Sequence, residues 1–270
     1  MQENINNQHN SKSAISFVDV VKNYFNINLI DSNDTDNYNN TNIINNINCV
    51  INHPSVFGLI GINGAGKTTI IKSILNLVYL SKGQIKIFDI DNNDKNSRSK
   101  LFYLPENFLP PKNLMVDEFL KSYLKILNVK FNQEKLDKYS AMLDFDLKYL
   151  HYKISQCSKG TVQKVGLLLA FLSNAELLIL DEPSTGLDVR ARNSLKNAIS
   201  YFYSLGGSVF LSSHIFSDLE QTCTHFGLLE SGGFAFSGTK NQLIEKQKNL
   251  NVANLEELFL KICTKQSNTN

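Results

Sequence analysis

Short, largely apolar runs alternate with stretches of helical period along most of this chain. Val56–Ile60 and residues 177–180 have the length and composition of strands that are buried on both faces of a parallel sheet. Ile70 and Ile74, after the first run, recur at the spacing of one helix face, and residues 107–164 are mostly helical in pattern. The pattern therefore predicts an α/β fold, in which a parallel sheet with helices on both faces is interrupted by a helical insertion.

Three segments lack this pattern. Residues 1–13, 31–46 and 264–270 are polar, and the second segment is dominated by Asn, Asp, Thr and Ser. Such segments bury too little apolar surface to offset the loss of chain entropy. We therefore predict a disordered tail, an Asn-rich loop and a frayed C-terminus around a single domain at residues 14–263. For the loop, a partner-specific insertion is the alternative to compositional bias.

A phosphate-binding motif lies between the first apolar run and the helix that follows it. Residues 61–69 fit the pattern G-x-x-x-x-G-K-[ST]. Glycines let backbone N–H groups close around a phosphate, and the start of a helix adds its positive dipole end. Lys67 is predicted to reach the β- and γ-phosphates of a nucleoside triphosphate, and the Thr68 hydroxyl to bind Mg²⁺. The predicted nucleotide ligands are Gly61, Asn63, Gly64, Ala65, Gly66, Lys67, Thr68 and Thr69.

Two adjacent carboxylates, Asp181 and Glu182, follow the buried run at residues 177–180. Ligands of open α/β sheets bind beyond the carboxyl ends of the strands. Asp181 is therefore predicted to organise Mg²⁺, and Glu182 to orient or deprotonate the attacking water. An acidic pair on the surface is the alternative, and the four apolar residues before it disfavour that interpretation.

Composition narrows the class of protein. The formal net charge is +2, which provides no strong field for nucleic acid. The four cysteines are far apart and form no C-x-x-C pair, so they predict reduced thiols and neither a zinc site nor a disulfide framework. The sequence contains no apolar run of about 18 residues and no hydrophobic leader. We therefore expect a cytosolic protein without a nucleic-acid partner.

Five further motifs, in order and at matching spacings, resemble those of the nucleotide-binding subunit of an ABC (ATP-binding cassette) transporter. They are the aromatic A-loop at 20–24, the Q-loop at 103–106, the signature at 157–165, the D-loop at 184–188 and the switch histidine at 213–214. The resemblance covers about residues 15–262. It implies a P-loop NTPase (RecA-like) core with a mostly parallel sheet, an antiparallel β region near the N-terminus and a helical subdomain at about 107–164.

The resemblance also implies roles for individual residues. Tyr24 would stack on adenine, Glu106 would bind Mg²⁺-bound water in place of the usual glutamine, and His214 would bond the γ-phosphate. The residues that would contact nucleotide from the signature and the D-loop are Ser158, Gly160 and Asp188. In the family, the signature of one subunit completes the phosphate site of a second subunit, head to tail.

The implied function is that of an ATPase subunit that powers a membrane transporter. Its cofactors would be ATP and Mg²⁺, and its partners membrane-spanning permease subunits and a second ATP-binding subunit at the cytoplasmic face of the membrane. Glu106 and the tail at 255–259 resemble those of exporters. Two alternatives remain: a soluble ABC-type ATPase that acts on ribosomes or nucleic acid, and a cassette that binds ATP only to regulate a partner.

Overall fold

A computed structural model of the chain describes residues 12–25 and 40–266. The strands are β1 (Ser13–Phe25), β2 (Asn40–Asn52), β3 (Val56–Ile60), β4 (Lys82–Ile87), β5 (Ile90–Asp91), β6 (Leu101–Leu104), β7 (Leu177–Asp181), β8 (Ser208–Ser212), β9 (His225–Glu230) and β10 (Gly233–Thr239). The α-helices are α1 (Lys67–Ile74), α2 (Val116–Ile126), α3 (Gln133–Met142), α4 (Lys159–Leu172), α5 (Val189–Ser204), α6 (Phe216–Thr222), α7 (Lys240–Asn249) and α8 (Leu255–Gln266). Short 3₁₀ helices lie at Lys95–Arg98, Leu147–His151 and Ile154–Gln156.

The central sheet has the strand order β10-β9-β3-β8-β7-β6. Its inner pairs are parallel, and only β10 runs antiparallel, against β9. Every residue of β3, β7 and β8 is buried, as expected for strands that are covered by helices on both faces. The predicted α/β fold with a mostly parallel sheet is confirmed. Because the strands are parallel, the carboxyl ends of β3, β7 and β8 meet at one edge of the sheet.

A second, antiparallel sheet has the order β2-β1-β4-β5 and confirms the antiparallel region expected near the N-terminus. The prediction of a loop at 31–46 is wrong for residues 40–46, which belong to β2. Ile44 and Ile47 are buried there, and pairing with β1 satisfies the backbone. Residues 31–39 lie outside the described part of the chain.

Two chain ends also differ from expectation. Ser13, which was predicted to belong to the tail, is the first residue of β1, and its hydroxyl donates to Asp89 at 2.5 Å. The predicted fraying is wrong for residues 264–266, which complete α8. The rest of both predicted termini, 1–11 and 267–270, lies outside the described residues.

The predicted helical insertion contains α2 and α3, which pack on α4. Phe119, Leu120 and Leu124 form the buried face of α2. Tyr139 of α3 stacks on Phe171 of α4, with ring centroids 4.7 Å apart. The insertion is therefore joined to the sheet through the helix that follows the predicted signature. In the described part of the chain, none of the helices has both the length and the apolar content needed to cross a membrane.

Candidate nucleotide site

A cavity of about 440 Å³ opens at the edge where β3, β7 and β8 end. Its described lining residues are Ile43, Ile62, Asn63, Gly64, Gly66, Lys67, Thr68, Thr69, Glu106, Asp181, Glu182 and His214. The structure thus brings together the predicted phosphate loop, the two predicted acids, the Q-loop residue and the predicted switch histidine. The phosphate loop and the two acids are separated by more than a hundred residues in sequence, and the parallel sheet places them side by side.

The phosphate loop has the backbone conformation that its glycines allow. Gly64 and Gly66 have φ angles of +84° and +106°, which are in the region that favours glycine. A Cβ at Gly66 would lie 2.8 Å from the Ile43 carbonyl oxygen of β2. The Lys67 Nζ is held inside the loop, where it donates to the carbonyl oxygens of Gly61 at 2.7 Å and Ile62 at 3.3 Å.

The loop leads directly into α1, whose first helical residue is Lys67. The first turn of α1 contains no acidic side chain, so none of its own carboxylates competes for the free N–H groups and the positive dipole end. Lys67 itself is only 8% exposed. A buried ammonium ion beside a helix N-terminus is an arrangement that binds a polyanion such as a triphosphate.

Asp181 and Glu182 are both buried, and one serine hydroxyl bonds to both. The Ser212 hydroxyl donates to Asp181 Oδ1 at 2.6 Å and accepts the Glu182 backbone N–H at 3.0 Å. Burial raises the pKa of Asp181, whereas the Ser212 hydrogen bond and Lys67 lower it. The Glu106 carboxylate raises it further. The negative charges of Asp181 and Glu106 therefore repel each other.

Glu182 is also held through its side chain. Its Oε2 lies 2.7 Å from His214 Nδ1 and accepts the His214 backbone N–H at 3.3 Å. The Glu182 side chain is 10% exposed, whereas that of His214 is 62% exposed. The pair therefore has one buried end, next to Asp181, and one end open to the cavity and to solvent.

The residues present fit a magnesium ion. The Thr68 hydroxyl and the carboxylates of Asp181 and Glu106 line the same cavity. Hard oxygen ligands of this kind, few in number and next to a phosphate site, are typical of Mg²⁺ sites in nucleotide-hydrolysing proteins. A divalent cation bound next to Asp181 and Glu106 would neutralise their negative charges and so remove the repulsion between them.

Residues of the signature and of the D-loop are not among the described lining of this cavity. Ser158 caps α4 by accepting the Thr161 N–H at 3.1 Å. Asp188 caps α5 in the same way, through the Ala191 N–H at 2.8 Å. A Cβ at Gly160 would lie 2.9 Å from the Gly186 carbonyl oxygen. The two loops are thus in backbone contact.

Two predicted nucleotide ligands, Gly61 and Ala65, belong to the phosphate loop but are not among the described lining of the cavity. Gly61 accepts a hydrogen bond from Lys67, and Ala65 is 9% exposed and packs against it. Tyr24 lies in β1, paired with Thr41 of β2, and its side chain lies outside the described part of the structure. Sequence reasoning missed Ile43 and Ser212. Ile43 lies in the Asn-rich stretch, and the link from Ser212 to Asp181 depends on strand register, which the sequence does not state.

A family model described as ABC transporter matches residues 44–185 of the chain. The match includes most of β2, all of β4 and β5, the phosphate loop and the predicted acids, and it spans over half of the sequence. The chain belongs to the ABC transporter family. This ABC protein resembles the ABC-type transporter ATP-binding protein EcsA of Bacillus subtilis, with 32% identity over 233 residues, which are 84% of this chain and 93% of the relative.

Other relatives are longer. A putative ABC transporter ATP-binding protein of Mycoplasma pneumoniae is 33% identical over 205 residues, 74% of this chain and 62% of that protein. An uncharacterized ABC transporter ATP-binding protein of Synechocystis is 31% identical over 202 residues, 73% of this chain and 57% of that protein. The ABC chain thus spans about three fifths of the length of these two relatives.

Solved structures agree with the fold. A structure titled as the ATP binding subunit of an ABC transporter superposes with a TM-score of 0.77 at 26% identity, and the match covers 93% of this chain and 99% of that one. The dimeric ATP-binding cassette MJ0796, bound to ADP and Pi, superposes with a TM-score of 0.71 over 84% of this chain and 98% of that chain, at 18% identity. The second likeness shows the fold alone.

Proposed function

We propose that this ABC protein binds ATP with Mg²⁺, hydrolyses it and powers a membrane transporter of the export type. The observation that carries the proposal is the convergence of a buried lysine in a glycine-rich loop, a buried carboxylate and a histidine on one cavity. These are a phosphate ligand, a candidate base and a candidate γ-phosphate contact. A nucleotide-binding site without hydrolysis would need only the first.

Binding is assigned to the phosphate loop. Backbone N–H groups of residues 63–69 and the Lys67 ammonium ion bind the phosphates, and the Thr68 hydroxyl, Asp181 and Glu106 hold the cation. When bound, Mg²⁺ neutralises charge on the phosphate oxygens. Lys67 already lies within 3.3 Å of two loop carbonyls, so little reorganisation is needed to present its charge.

Hydrolysis is assigned to Glu182 and His214. The Glu182 carboxylate accepts a proton from the attacking water, and the His214 imidazole, 2.7 Å away, orients that carboxylate and bonds the γ-phosphate. General bases of this kind contribute about 10²- to 10⁴-fold to a rate. The His214 ring is mostly exposed, which leaves room for it to turn toward the substrate.

Pairing with a second ATP-binding subunit follows from the position of the signature. Ser158 and Gly160 are outside the described lining of the cavity, so we assign them to phosphate contact in a partner subunit, together with Asp188. ATP binding would close such a dimer and hydrolysis would reopen it. Sharing a site across a twofold axis couples two nucleotides to one motion.

A groove beside Glu106 is the surface we assign to the permease, at the cytoplasmic face of the membrane. It has a volume of about 590 Å³ and is lined by residues of the 106–112 loop and of the 154–163 segment. Leu109 is 84% exposed on this surface. Because the groove begins at Glu106, a partner seated in it would contact the nucleotide site directly.

A soluble ATPase acting on ribosomes or nucleic acid is the second candidate function, and no described feature favours it.

Two experiments test the proposal. Purified protein should release phosphate from ATP in the presence of Mg²⁺, and not in excess EDTA. The Glu182→Gln protein, with ATP and Mg²⁺, should then retain a multi-spanning membrane protein from detergent-solubilised membranes of its own cell. Absence of hydrolysis by wild-type protein would contradict the enzymatic part, and capture of ribosomes alone would contradict the transport part.

A further inference from the structure

Ser212 lies between the two acids of the site, outside every motif that predicted them. It is the last residue of β8 and pairs in register with Asp181, the last residue of β7. Its exposed fraction is 0%. A serine hydroxyl has one proton and two lone pairs. Here the proton is directed at Asp181 Oδ1, and the oxygen accepts the Glu182 N–H.

Each of the two bonds fixes a different degree of freedom. The 2.6 Å separation from Asp181 Oδ1 is in the range of charge-assisted O–H···O⁻ bonds, and it fixes the rotation of that carboxylate. Glu182 has a φ of +47°, a conformation that residues with a Cβ rarely adopt. The bond from its N–H to Ser212 holds the backbone in that conformation.

The end of β8 therefore holds Glu182 at two points. Ser212 bonds its backbone N–H, and His214, two residues later, bonds its side-chain Oε2. Asp181 is tied to the same hydroxyl. This one buried hydroxyl therefore bonds to both acidic residues, to the side chain of Asp181 and to the backbone of Glu182.

We propose that Ser212 is a positioning residue for ATP hydrolysis, which holds the magnesium-binding carboxylate of Asp181 and the backbone of Glu182 in one fixed geometry. The inference rests on the proposed function of the site. Ser212 makes no contact with substrate in this role, and it acts through the two acids. It should therefore affect turnover and Mg²⁺-dependent binding, and leave the contacts of the phosphate loop unchanged.

The test compares Ser212→Ala with Ser208→Ala. Ser208 is on the same strand, is 1% exposed and makes two hydrogen bonds, with His53 Nδ1 at 2.7 Å and from the Ser55 N–H at 3.1 Å. It lies four residues from Ser212, roughly 13 Å along the strand. Both variants remove a buried hydroxyl from β8, so a purely structural effect should be similar in the two.

We expect Ser212→Ala to reduce kcat about 10- to 100-fold, the usual effect of removing a group that orients a metal ligand. The Kd for ATP in EDTA should stay within about twofold of wild type, whereas the gain in affinity on adding Mg²⁺ should fall about tenfold. Ser212→Thr, which keeps the hydroxyl, should retain most of the activity. Ser208→Ala should match Ser212→Ala in melting temperature and match wild type in kcat.

Equal kcat values for Ser212→Ala and Ser208→Ala, with wild-type protein active, would overturn the inference and leave the proposed function intact. If wild-type protein binds ATP without hydrolysing it, the enzymatic proposal fails, and the Mg²⁺-dependent gain in affinity still decides the role of Ser212. Should Ser212→Ala not fold, Ser212→Cys keeps the size with a weaker donor, and an unchanged kcat and Mg²⁺ response in that variant would also overturn the inference.

Discussion

Replacing Glu182 by glutamine isolates its capacity to accept a proton. The amide keeps the length of the side chain, and the backbone bond to Ser212 at 3.0 Å is unaffected. The amide oxygen can still accept the His214 N–H, which now bonds Glu182 Oε2 at 3.3 Å. What is lost is a buried negative charge and a base within reach of the cavity.

The expected changes in kcat and in melting temperature for Glu182→Gln follow from the role of Glu182 as a base and from the exposure of His214. A positioned general base contributes about 10²- to 10⁴-fold, equivalent to about 2.7–5.4 kcal/mol in the barrier. The His214 side chain is 62% exposed, so its contact with Glu182 is screened by solvent and contributes about 1 kcal/mol or less to stability. Glu182→Gln should therefore lower kcat at least a hundredfold and shift the melting temperature by no more than about 4 °C.

The assay is steady-state phosphate release at saturating ATP and Mg²⁺, together with ATP affinity by titration calorimetry. Lys67 lies in a separate loop, so the Kd for ATP should change by less than about threefold. Glu230→Gln is the matched control, because Glu230 ends β9, another strand of the same sheet, and is half-buried. A Glu182→Gln protein with a kcat within threefold of wild type would refute the role of the base, provided that Glu230→Gln is also active.

Three further predictions concern affinity, packing and pH. Lys67→Ala should weaken ATP binding about a hundredfold by calorimetry, through loss of charged hydrogen bonds to phosphate, whereas exposed Lys72→Ala should not; equal affinities would contradict the loop assignment. Gly160→Ala should lower the free energy of unfolding by about 1–3 kcal/mol in urea, because the new Cβ would lie 2.9 Å from the Gly186 carbonyl oxygen. Helix propensity alone predicts a higher free energy of unfolding for alanine, and that result would show that the two loops can move apart without cost. Burial lowers the pKa of His53 and His225, so the unfolded chain binds more protons below about pH 6.5 and stability should fall there; a melting temperature that stays constant from pH 7 to 5 would contradict this.

The parts of the site that could be predicted are those whose residues are contiguous. The phosphate loop and the pair Asp181–Glu182 each follow an apolar strand. Because ligands of open α/β sheets bind beyond the carboxyl ends of the strands, residues that follow a strand can be assigned to that edge from the sequence. The approach of His214 to Glu182 came only from family resemblance. Their 2.7 Å contact depends on the pairing of β7 with β8, and the sequence of neither strand states which strand is its partner.

Two strand segments that the sequence did not predict, β10 and residues 40–46 of β2, are stabilised by pairing with another strand. β10 alternates small, polar and aromatic residues at the edge of the central sheet, and most of it is half-buried. Its pairing with β9 supplies a stability that its own composition does not indicate. β2 is the stronger case, because an Asn-rich segment forms an edge strand once β1 provides the ladder and Ile44 and Ile47 reach the core.

The Ile43 carbonyl oxygen has a consequence for which substitutions this protein tolerates. It lies against two glycines, because an added Cβ would approach it to 2.8 Å at Gly66 and to 2.7 Å at Gly232. The N–H of Asn45, two residues later, donates to the Gly232 carbonyl oxygen at 2.8 Å. Because these contacts are made by backbone atoms of β2, they restrict the residues that can stand at Gly66 and Gly232 and do not depend on the side chain at position 43. Exposed side chains of this stretch, such as Asn45, can therefore be replaced more freely than the two glycines.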